Sequence, residues 1–518
     1  MIWSFASRFV EDRDMCFWIS PVFASLFLGA VFFSIVLWLT KSLRKWWHQR
    51  VKMLKLAASL PGPPALPIIG NALSFACSHE DILCRIDKIT RTYESPFRFW
   101  LGPRLFVVLT RPEDIEVVLN NPKAQYKDRT YRFLEPFIGK GLITESGPRH
   151  RAHRKLIMPM LNSKSLAVCV EYFDKHSRYC ADLLVKKCDD GEFDVAPFLT
   201  KCTVDVMLDT IMGVPGNAQT GNYLNLIYWT EKMYEMVYTR IMKVWLHCDW
   251  IFDLTDLGNQ QKTGRSVIYR FVESVVTRKK KEHSALKRGV IRANRPRLMV
   301  LEQLIDQLET TKSMDDQELK EEIYTLFTAA QDTVAVVSSF ALLMLAMHPE
   351  IQDKVRQELL EVLGADNITA EYLANMKYTD MVVRETLRLF PIAPITVRRL
   401  EGDIELDSCT IPEGCSIVLG FYSTHRCSKY WSEPEKFIPE RFLPENSIDR
   451  HPYAYLPFSS GVLGCIGQKF AIMCLKTVIG NVVRRYKLSS NSKIEDIRLK
   501  SDISVRSKDG YRMSIHRV

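Results

Sequence analysis

The sequence has no CxxC pair and no regular cysteine spacing, although it contains 13 cysteines in 518 residues. A disulfide framework or a structural zinc site needs cysteines at defined spacings, so neither class of protein is predicted. An odd number of scattered cysteines instead indicates reduced thiols in a cytosol-facing protein. The chain also lacks a Gly-rich dinucleotide motif, so we expect no nicotinamide cofactor to bind to it.

Extreme charge, internal repeats and low-complexity segments are lacking as well. The formal net charge is +10, and 47% of the residues are hydrophobic, which predicts a large folded core and excludes disorder on a large scale. A weakly basic balance can reflect a nucleic-acid surface, a membrane surface or an acidic protein partner. Charge alone does not choose among them.

One long uncharged run lies near the N-terminus. Residues Phe17 to Leu39 carry no charged side chain, and at about 1.5 Å rise per residue this length spans a hydrocarbon core of roughly 30 Å. Acidic residues precede the run, and basic residues such as Lys41 and Arg44 follow it. The positive-inside rule then places the rest of the chain in the cytosol. A buried core helix is the alternative.

A proline-rich segment from Pro61 to Pro67 follows the basic residues. Prolines at this density exclude a helix interior and predict a stiff connector. The predicted domains are a lumenal N-terminus (1–16), a transmembrane anchor (17–39), a basic and proline-rich hinge (40–71) and a single catalytic domain (72–518).

Most of the catalytic domain is predicted to be helical. Asp315 to Glu318 is a capping signal that opens a stretch free of Gly and Pro up to about Met347. Alternating segments at 404–406 and 416–419, separated by a turn at 411–414, predict a hairpin, and 503–515 predicts a small β element. Further helices are expected at 350–363, 379–390 and 471–483. The predicted fold class is mainly α with a minor β-sheet domain, preceded by a single N-terminal transmembrane helix.

The strongest local signal is a cysteine among glycines. Gly461, Gly464 and Gly467 flank Cys465, Phe458 precedes them, and an apolar helix follows. Glycines let the backbone approach a flat ligand closely. A cysteine at a helix N-terminus faces free N–H groups that favour the thiolate, which is an electron-donating iron ligand. The alternative for a lone cysteine is a small buried hydrophobe.

Two charged residues stand three apart on a predicted helix with apolar neighbours. Glu385 and Arg388 can pair at this spacing. A buried charge pair needs further partners, and Arg441 is a candidate. This pattern alone is a weak signal.

An acid and an alcohol interrupt the long apolar helix. Asp332 and Thr333 are poor choices inside such a helix, and Ala329 and Ala330 precede them. One interpretation is an acid–alcohol pair that delivers protons during oxygen activation, with small residues making room. The alternative is that Thr333 bonds back to the carbonyl of Ala329 while Asp332 meets a salt-bridge partner elsewhere.

Together and in this order, these motifs resemble the cytochrome P-450 superfamily over nearly the whole chain. The residues around Asp128-Arg129 and His153-Arg154-Lys155 are most similar to the animal microsomal branch that contains fatty-acid ω-hydroxylases. The resemblance implies haem b with Cys465 as the axial iron ligand, Thr333 and Asp332 in oxygen activation, and a structural triad of Glu385, Arg388 and Arg441. It also implies cofactor contacts from Arg154, Arg398, His150, Phe458, Gly461, Gly467 and Ala330.

Three positions depart from the family pattern. His150 stands where the family usually has Trp, and Leu463 stands where it usually has Arg. Both are propionate partners in the family, so one donor is lost and the other becomes pH-sensitive. We expect weaker haem retention unless another basic group substitutes. Ala329 replaces a Glu that can esterify haem, so haem is expected to be noncovalent.

The resemblance implies a monooxygenase that inserts one oxygen atom from O₂ into a lipophilic substrate. Electrons would come from NADPH–cytochrome P-450 reductase, with cytochrome b5 as a second partner, at the endoplasmic reticulum membrane and without nucleic acid. A basic patch of Arg149, Arg151, Lys155 and Lys469 would suit an acidic partner, and a plain solvated surface is the alternative. A haem-thiolate isomerase or C–C-cleaving enzyme and a non-enzymatic haem sensor stay open as other functions.

The substrate pocket is predicted by resemblance and is mostly apolar, which suits lipids, steroids, terpenoids or foreign lipophiles alike. Its expected lining is Phe133, Leu134, Ile138, Phe327, Ala330, Ile395, Thr396 and Val505. The aromatic stretch from Tyr223 to Phe252 is expected to cap an access channel facing the bilayer, or else to pack in the core.

Overall fold

The computed structural model describes residues 21–75, 77–289 and 299–518. The chain divides into two compact units, one ending at residue 59 and one comprising residues 60–518. The predicted lumenal segment 1–16 and residues 17–20 of the predicted anchor lie outside the described residues.

The described part of the first unit is a single helix, α1 (Pro21–Ser59). From Leu26 onward its most apolar stretch has a mean hydropathy of 1.9 and is 0% buried, so this helix is a candidate membrane span. Residues 40–59, which contain the basic residues of the predicted hinge, continue the same helix without a break.

The second unit is mainly helical with small sheets. Its helices are α2 (Ala72–Phe75), α3 (Ile82–Thr92), α4 (Pro112–Asn120), α5 (Glu135–Ile138), α6 (Gly147–Ile157), α7 (Ser163–Leu184), α8 (Ala196–Thr210), α9 (Leu224–Met242), α10 (Asp249–Asp253), α11 (Asp256–Lys287), α12 (Val300–Thr311), α13 (Asp316–Met347), α14 (Pro349–Leu363), α15 (Ala370–Asn375), α16 (Lys377–Leu389), α17 (Phe421–Thr424) and α18 (Gln468–Val483). Its strands are β1 (Phe97–Leu101), β2 (Arg104–Leu109), β3 (Tyr126–Lys127), β4 (Phe193–Asp194), β5 (Thr396–Arg399), β6 (Ile404–Glu405), β7 (Thr410–Ile411), β8 (Ser416–Leu419), β9 (Tyr486–Ser489), β10 (Leu499–Ser501), β11 (Val505–Ser507) and β12 (Arg512–Arg517). The predicted fold class is confirmed.

The central helix α13 begins where the capping signal predicts. The Asp315 carboxylate accepts a hydrogen bond from the Glu318 N–H at 2.8 Å, and the Glu318 carboxylate accepts one from the Asp315 N–H at 2.8 Å. The helix runs 32 residues and packs against α8, α16 and α18. It is apolar around most of its circumference because neighbours cover it on several sides. Its length and hydropathy would also suit a membrane span, but its most apolar stretch is 83% buried in the protein.

The largest sheet has the strand order β1-β2-β8-β5-β3. Strand β8 runs parallel to β2 and antiparallel to β5, and all four of its residues are buried. The predicted hairpin between 404–406 and 416–419 is therefore wrong. β6 pairs instead with β7, which occupies part of the expected turn, while β8 is an inner strand whose partners are distant in sequence.

The proline-rich segment from Pro61 to Pro67 is part of the second unit and is hydrogen-bonded within it. The Arg98 N–H of β1 donates to the Pro61 carbonyl at 2.9 Å. The side-chain amide of Asn71 donates to the Pro64 carbonyl at 2.8 Å. The segment predicted as the end of a connector therefore lies along the edge of the large sheet.

Candidate functional site

A cavity of about 370 Å³ is lined by side chains from α6, α13, β5 and the loop that precedes α18. Its volume falls within the range of roughly 300–1,000 Å³ that is usual for ligand sites. Most of its lining is apolar, with polar groups gathered on a few elements. Of the predicted site residues, those that line it are Cys465, Arg154, Arg398, His150, Phe458, Gly467, Ala330 and Thr333.

Cys465 is the one cysteine, among the twelve that the structure describes, whose side chain lines this cavity. Its surface is open to the cavity although the surrounding protein is dense. Helix α18 begins at Gln468 with Gly467 as its N-cap, so Cys465 lies two residues before the cap rather than on the helix. Burial raises the pKa of the Cys465 thiol, while the Gly467 N–H and the Arg154 guanidinium oppose that shift. Coordination to a metal ion would deprotonate it.

Gly461 has a structural reason to be glycine that does not involve the cavity. Its φ is +72°, which L side chains rarely adopt, and a Cβ there would stand 2.7 Å from the Leu119 carbonyl oxygen. The cysteine loop therefore approaches the end of α4 closely at this position. Gly461 itself lies outside the cavity lining.

Basic side chains converge at one end of the cavity. Arg154 of α6 donates from Nη1 to the Gly464 carbonyl at 2.6 Å, which ties α6 to the cysteine loop. Arg398 of β5 is buried and donates from Nη1 to the Thr396 hydroxyl at 2.7 Å. Burial lowers the pKa of both guanidinium groups. Arg398 is buried and Arg154 is half-buried, and cations in such surroundings are stabilised by an anion.

His150 is buried in α6 beside these cations. Burial, with Lys127 and Arg154, lowers its pKa to about 3. Its Nδ1 has no hydrogen-bond partner in the part of the chain that the structure describes. The neutral imidazole is therefore favoured at His150, first because the side chain is buried and second because the side chains that shift its pKa further are cations.

Lys127 is a cavity residue that sequence reasoning missed. The two-residue strand β3 places it opposite Arg398 of β5, and it lines the same cavity. Burial and the charge of Arg398 lower the pKa of Lys127 to about 7. No local sequence pattern predicts that this lysine lines the cavity, because its position depends on the pairing of β3 with the distant strand β5.

These groups fit haem. The described lining of the cavity contains four basic residues, Lys127, His150, Arg154 and Arg398, and no acidic one. A thiol that can bind iron lies in the same cavity, which is otherwise mainly apolar. A flat group with a metal at its centre and two carboxylates at its edge matches this set of donors.

The acid and the alcohol of α13, Asp332 and Thr333, have different surroundings. Thr333 lines the cavity, and its hydroxyl donates to the Ala329 carbonyl at 2.8 Å. Asp332 lies outside the cavity lining, forms an ion pair with Arg506 of β11 and accepts a hydrogen bond from the Ser504 hydroxyl at 3.1 Å. Both contacts are those of the structural alternative. Asp332 is thus held against the C-terminal strands, one residue away from a hydroxyl that faces the cavity.

Replacing Arg506 with alanine is expected to destabilise the fold by about 1–3 kcal/mol, because it leaves the buried Asp332 carboxylate without its charged partner. The pair is mostly buried, with the Arg506 and Asp332 side chains 18% and 5% exposed. Adding Asp332→Asn to Arg506→Ala should recover part of the loss, as measured by thermal unfolding of the four proteins of a double-mutant cycle. Additive losses would contradict this coupling.

A buried charged triad joins α16 to the Pro439–Phe442 turn. Arg388 donates to the Glu385 carboxylate from Nε at 2.7 Å and from Nη2 at 2.8 Å, and Arg441 donates from Nε at 3.2 Å. Both side chains of the first pair are 0% exposed. Arg388 also donates to the carbonyls of His425 at 2.9 Å, Pro434 at 2.7 Å and Lys436 at 3.0 Å, so all five N–H donors of this buried charge are hydrogen-bonded.

Part of the expected substrate lining lies elsewhere. Ala330, Ile395 and Thr396 line the cavity. The other five are buried and are not among the residues that line the cavity: Phe133, Leu134, Ile138, Phe327 and Val505. Leu326, Val334 and Ile392 form part of the apolar wall of the cavity, and the sequence analysis did not predict them. Apolar residues on a buried helix give no sequence signal for which of them face a cavity.

A cavity thiol, a cationic end and a long central helix define a haem-thiolate class of protein. The sequence profile of the Cytochrome P450 family matches residues 60–514, so the chain belongs to that family. Cytochrome P450 4c3 of Drosophila melanogaster is 30% identical over 485 residues, which cover 90% of this chain and 91% of that protein. Cytochrome P450 4V2 of Mus musculus is 31% identical over 529 residues, 100% and 99% of the two chains. Cytochrome P450 4c21 of Blattella germanica is 31% identical over 490 residues, 93% and 96%.

The predicted family and branch are thereby confirmed. The chain is a cytochrome P450 monooxygenase, an oxidoreductase whose cofactor is haem b bound through a cysteine thiolate. The expectation of noncovalent haem rests on Ala329. This residue lines the cavity and offers no carboxylate for an ester bond.

Proposed function

We propose that this chain is a membrane-anchored monooxygenase that oxygenates a lipophilic substrate, with Cys465 as the axial ligand of the haem iron. The observation that carries the proposal is the cavity itself, which brings a single thiol, a cationic end and the Thr333 hydroxyl together within a mostly apolar lining. When bound, the haem supplies the iron that activates dioxygen, and a thiolate ligand increases the electron density on that iron.

The protein groups have separate tasks in this proposal. Arg154 and Arg398 hold the propionates, and the bond from Arg154 to the Gly464 carbonyl also fixes the cysteine loop. The Thr333 hydroxyl holds a proton inside the cavity and can redirect it by rotating away from the Ala329 carbonyl. Asp332, bound to Arg506, lies behind it as the acid of the pair.

The apolar lining favours a lipophilic substrate. Leu326, Val334 and Ile392 give the cavity a wall that excludes water and offers no hydrogen bond from its side chains. Such a wall positions a C–H bond by shape rather than by polar recognition. The proposed substrates are therefore hydrophobic molecules such as lipids, steroids or terpenoids.

A membrane location agrees with this substrate class. Helix α1 is a candidate anchor, and we propose the endoplasmic reticulum with the catalytic unit in the cytosol. The second unit also exposes large apolar side chains between α9 and α11, with Trp245 at 58%, Trp250 at 67% and Leu254 at 80% exposure. Exposed aromatic groups of this size suit the membrane interface, which supports the proposal that this segment meets the bilayer.

Electrons are proposed to come from NADPH–cytochrome P450 reductase, with cytochrome b5 as a further donor. Arg151 and Lys155 are exposed one turn apart on α6, whose Arg154 contacts the cysteine loop, and Lys469 is exposed at the start of α18. Cations on this face suit an acidic partner. Arg149 contributes less, because it pairs with Glu318 at 3.1 Å.

The function is tested with membranes that contain the full chain and a reductase, supplied with NADPH and a lipid extract. We expect oxygenated products that carry one atom from labelled O₂, detected by mass spectrometry, and we expect none without NADPH. A matched preparation with Thr333→Ala should form less product for each NADPH consumed. A haem sensor would show the thiolate absorbance band of the reduced, carbon monoxide-bound protein but no turnover, and that result would refute the proposal.

A further inference from the structure

Lys127 brings a cation into the cavity from the large sheet. Strand β3 pairs with β5, and the Cα of Lys127 stands opposite that of Arg398. Its side chain lines the cavity with those of Arg154 and Arg398. Two guanidinium groups and an ammonium group thus share a space without an acidic side chain among the described lining residues.

The hydrogen bonds of Lys127 leave part of its ammonium group available. Its Nζ donates to the Leu142 carbonyl and, at 3.0 Å, to the Glu145 carbonyl. An ammonium group has three donors, so one is not used by these carbonyls, and Nζ also lies over the Tyr131 ring at 6.0 Å from its centroid. The two carbonyls hold Nζ in a fixed position at the cavity wall, but neither is an anion.

The charges around Lys127 do not balance it. Burial and Arg398 disfavour its charged form, Arg154 adds to that effect, and the carboxylates of Glu322 and Glu145 oppose it. Glu322 already accepts from Nδ1 of His153 at 2.7 Å. A half-buried lysine that shares a cavity with two arginines is unfavourable unless an anion joins them.

The family's usual propionate donors are depleted in this chain. Leu463 lines the cavity at the position where the family usually has an arginine, and it carries no donor. His150 is neutral and offers at most one N–H. One cation is therefore missing from the haem's carboxylate side, and Lys127 is an additional cation that lines the same cavity.

We propose that Lys127 binds a haem propionate and so replaces the arginine that is missing at Leu463. This inference rests on the proposed haem site and concerns only how its carboxylate side is held. It revises the expectation that haem retention is weak here, because the substituting basic group is present. It also gives β3 a function, since this two-residue strand fixes the lysine next to Arg398.

The experiment measures the rate at which ferric haem leaves the purified full-length protein for an excess of apomyoglobin at neutral pH. We expect Lys127→Met to lose haem roughly tenfold faster than wild type, the effect of one charge-assisted hydrogen bond. Lys127→Arg should stay near wild type. Lys140→Met is the matched control, because Lys140 is exposed in the neighbouring loop, and it should also lose haem at the wild-type rate.

Leu463→Arg separates a propionate contact from a purely structural lysine. In wild type we expect this change to alter haem loss little, and in Lys127→Met we expect it to restore most of the retention. A lysine that only tethers the Leu142 and Glu145 carbonyls would not be rescued by an arginine on another loop.

Failure of the inference is distinct from failure of the proposed function. If Lys127→Met loses haem at the wild-type rate, or if Leu463→Arg does not rescue it, the inference is wrong while the haem site stands. If wild type takes up no haem with a thiolate spectrum, both are overturned.

Discussion

Replacing Cys465 with serine is expected to eliminate the thiolate absorbance band of the reduced, carbon monoxide-bound protein and to reduce turnover to background. A serine oxygen is not deprotonated at neutral pH and donates far less electron density to iron than a thiolate does. The change is close to isosteric, and Cys465 is open to the cavity rather than packed in the core. The fold should therefore survive, as checked by circular dichroism alongside the spectrum.

Cys84→Ser is the matched control for this substitution. Cys84 is exposed on α3 and does not line the cavity. Its replacement should leave the thiolate band and turnover unchanged. A thiolate band that persists in Cys465→Ser would assign the iron ligand to another cysteine and remove the central feature of the proposed site.

Replacing Glu385 with glutamine is expected to destabilise the protein by about 3–5 kcal/mol, because it leaves Arg388 buried without its counter-ion. Glu385 accepts bonds from Arg388, from Arg441 and, at 2.9 Å, from the Ile438 N–H. Glutamine keeps the volume but removes the charge and one acceptor. A loss of this size is a large fraction of the total free energy of unfolding of most domains. We therefore expect low yields of folded haem protein.

Arg384→Gln on the same helix provides the comparison. Arg384 pairs with Asp380 on the surface, where its side chain is 45% exposed. Loss of such a pair should cost no more than about 1 kcal/mol. Thermal unfolding followed by circular dichroism measures the stability of both variants. Equal losses of stability would mean that the buried Glu385 triad contributes no more to stability than a surface ion pair does.

The elements that could be predicted from the sequence are those that local chemistry determines. Asp315 and Glu318 start α13 through their own capping bonds, and no Gly or Pro interrupts it before Met347. The cysteine loop could be found because Gly461 needs a positive φ near a fixed backbone and Cys465 precedes a helix. Such signals are readable because cause and effect lie within a few residues.

Features that depend on distant pairing could not be predicted in the same way. Strand β8 resembles one arm of a hairpin, but its hydrogen bonds go to β2 and β5. Lys127 enters the cavity only because β3 pairs with β5. The partner of Asp332 could not be named either, since Arg506 stands 174 positions later and no spacing rule connects them.

The ion pair between Asp332 and Arg506 also determines when α13 can complete its packing during synthesis of the protein. A ribosome completes the whole of α13 long before it adds Arg506, so the nascent helix carries the Asp332 carboxylate without its counter-ion. Burial of a lone carboxylate is costly, so the helix is not expected to settle into its final packing co-translationally. A nonsense mutation that removes β11 would leave the same charge uncompensated and expose the product to quality-control proteolysis.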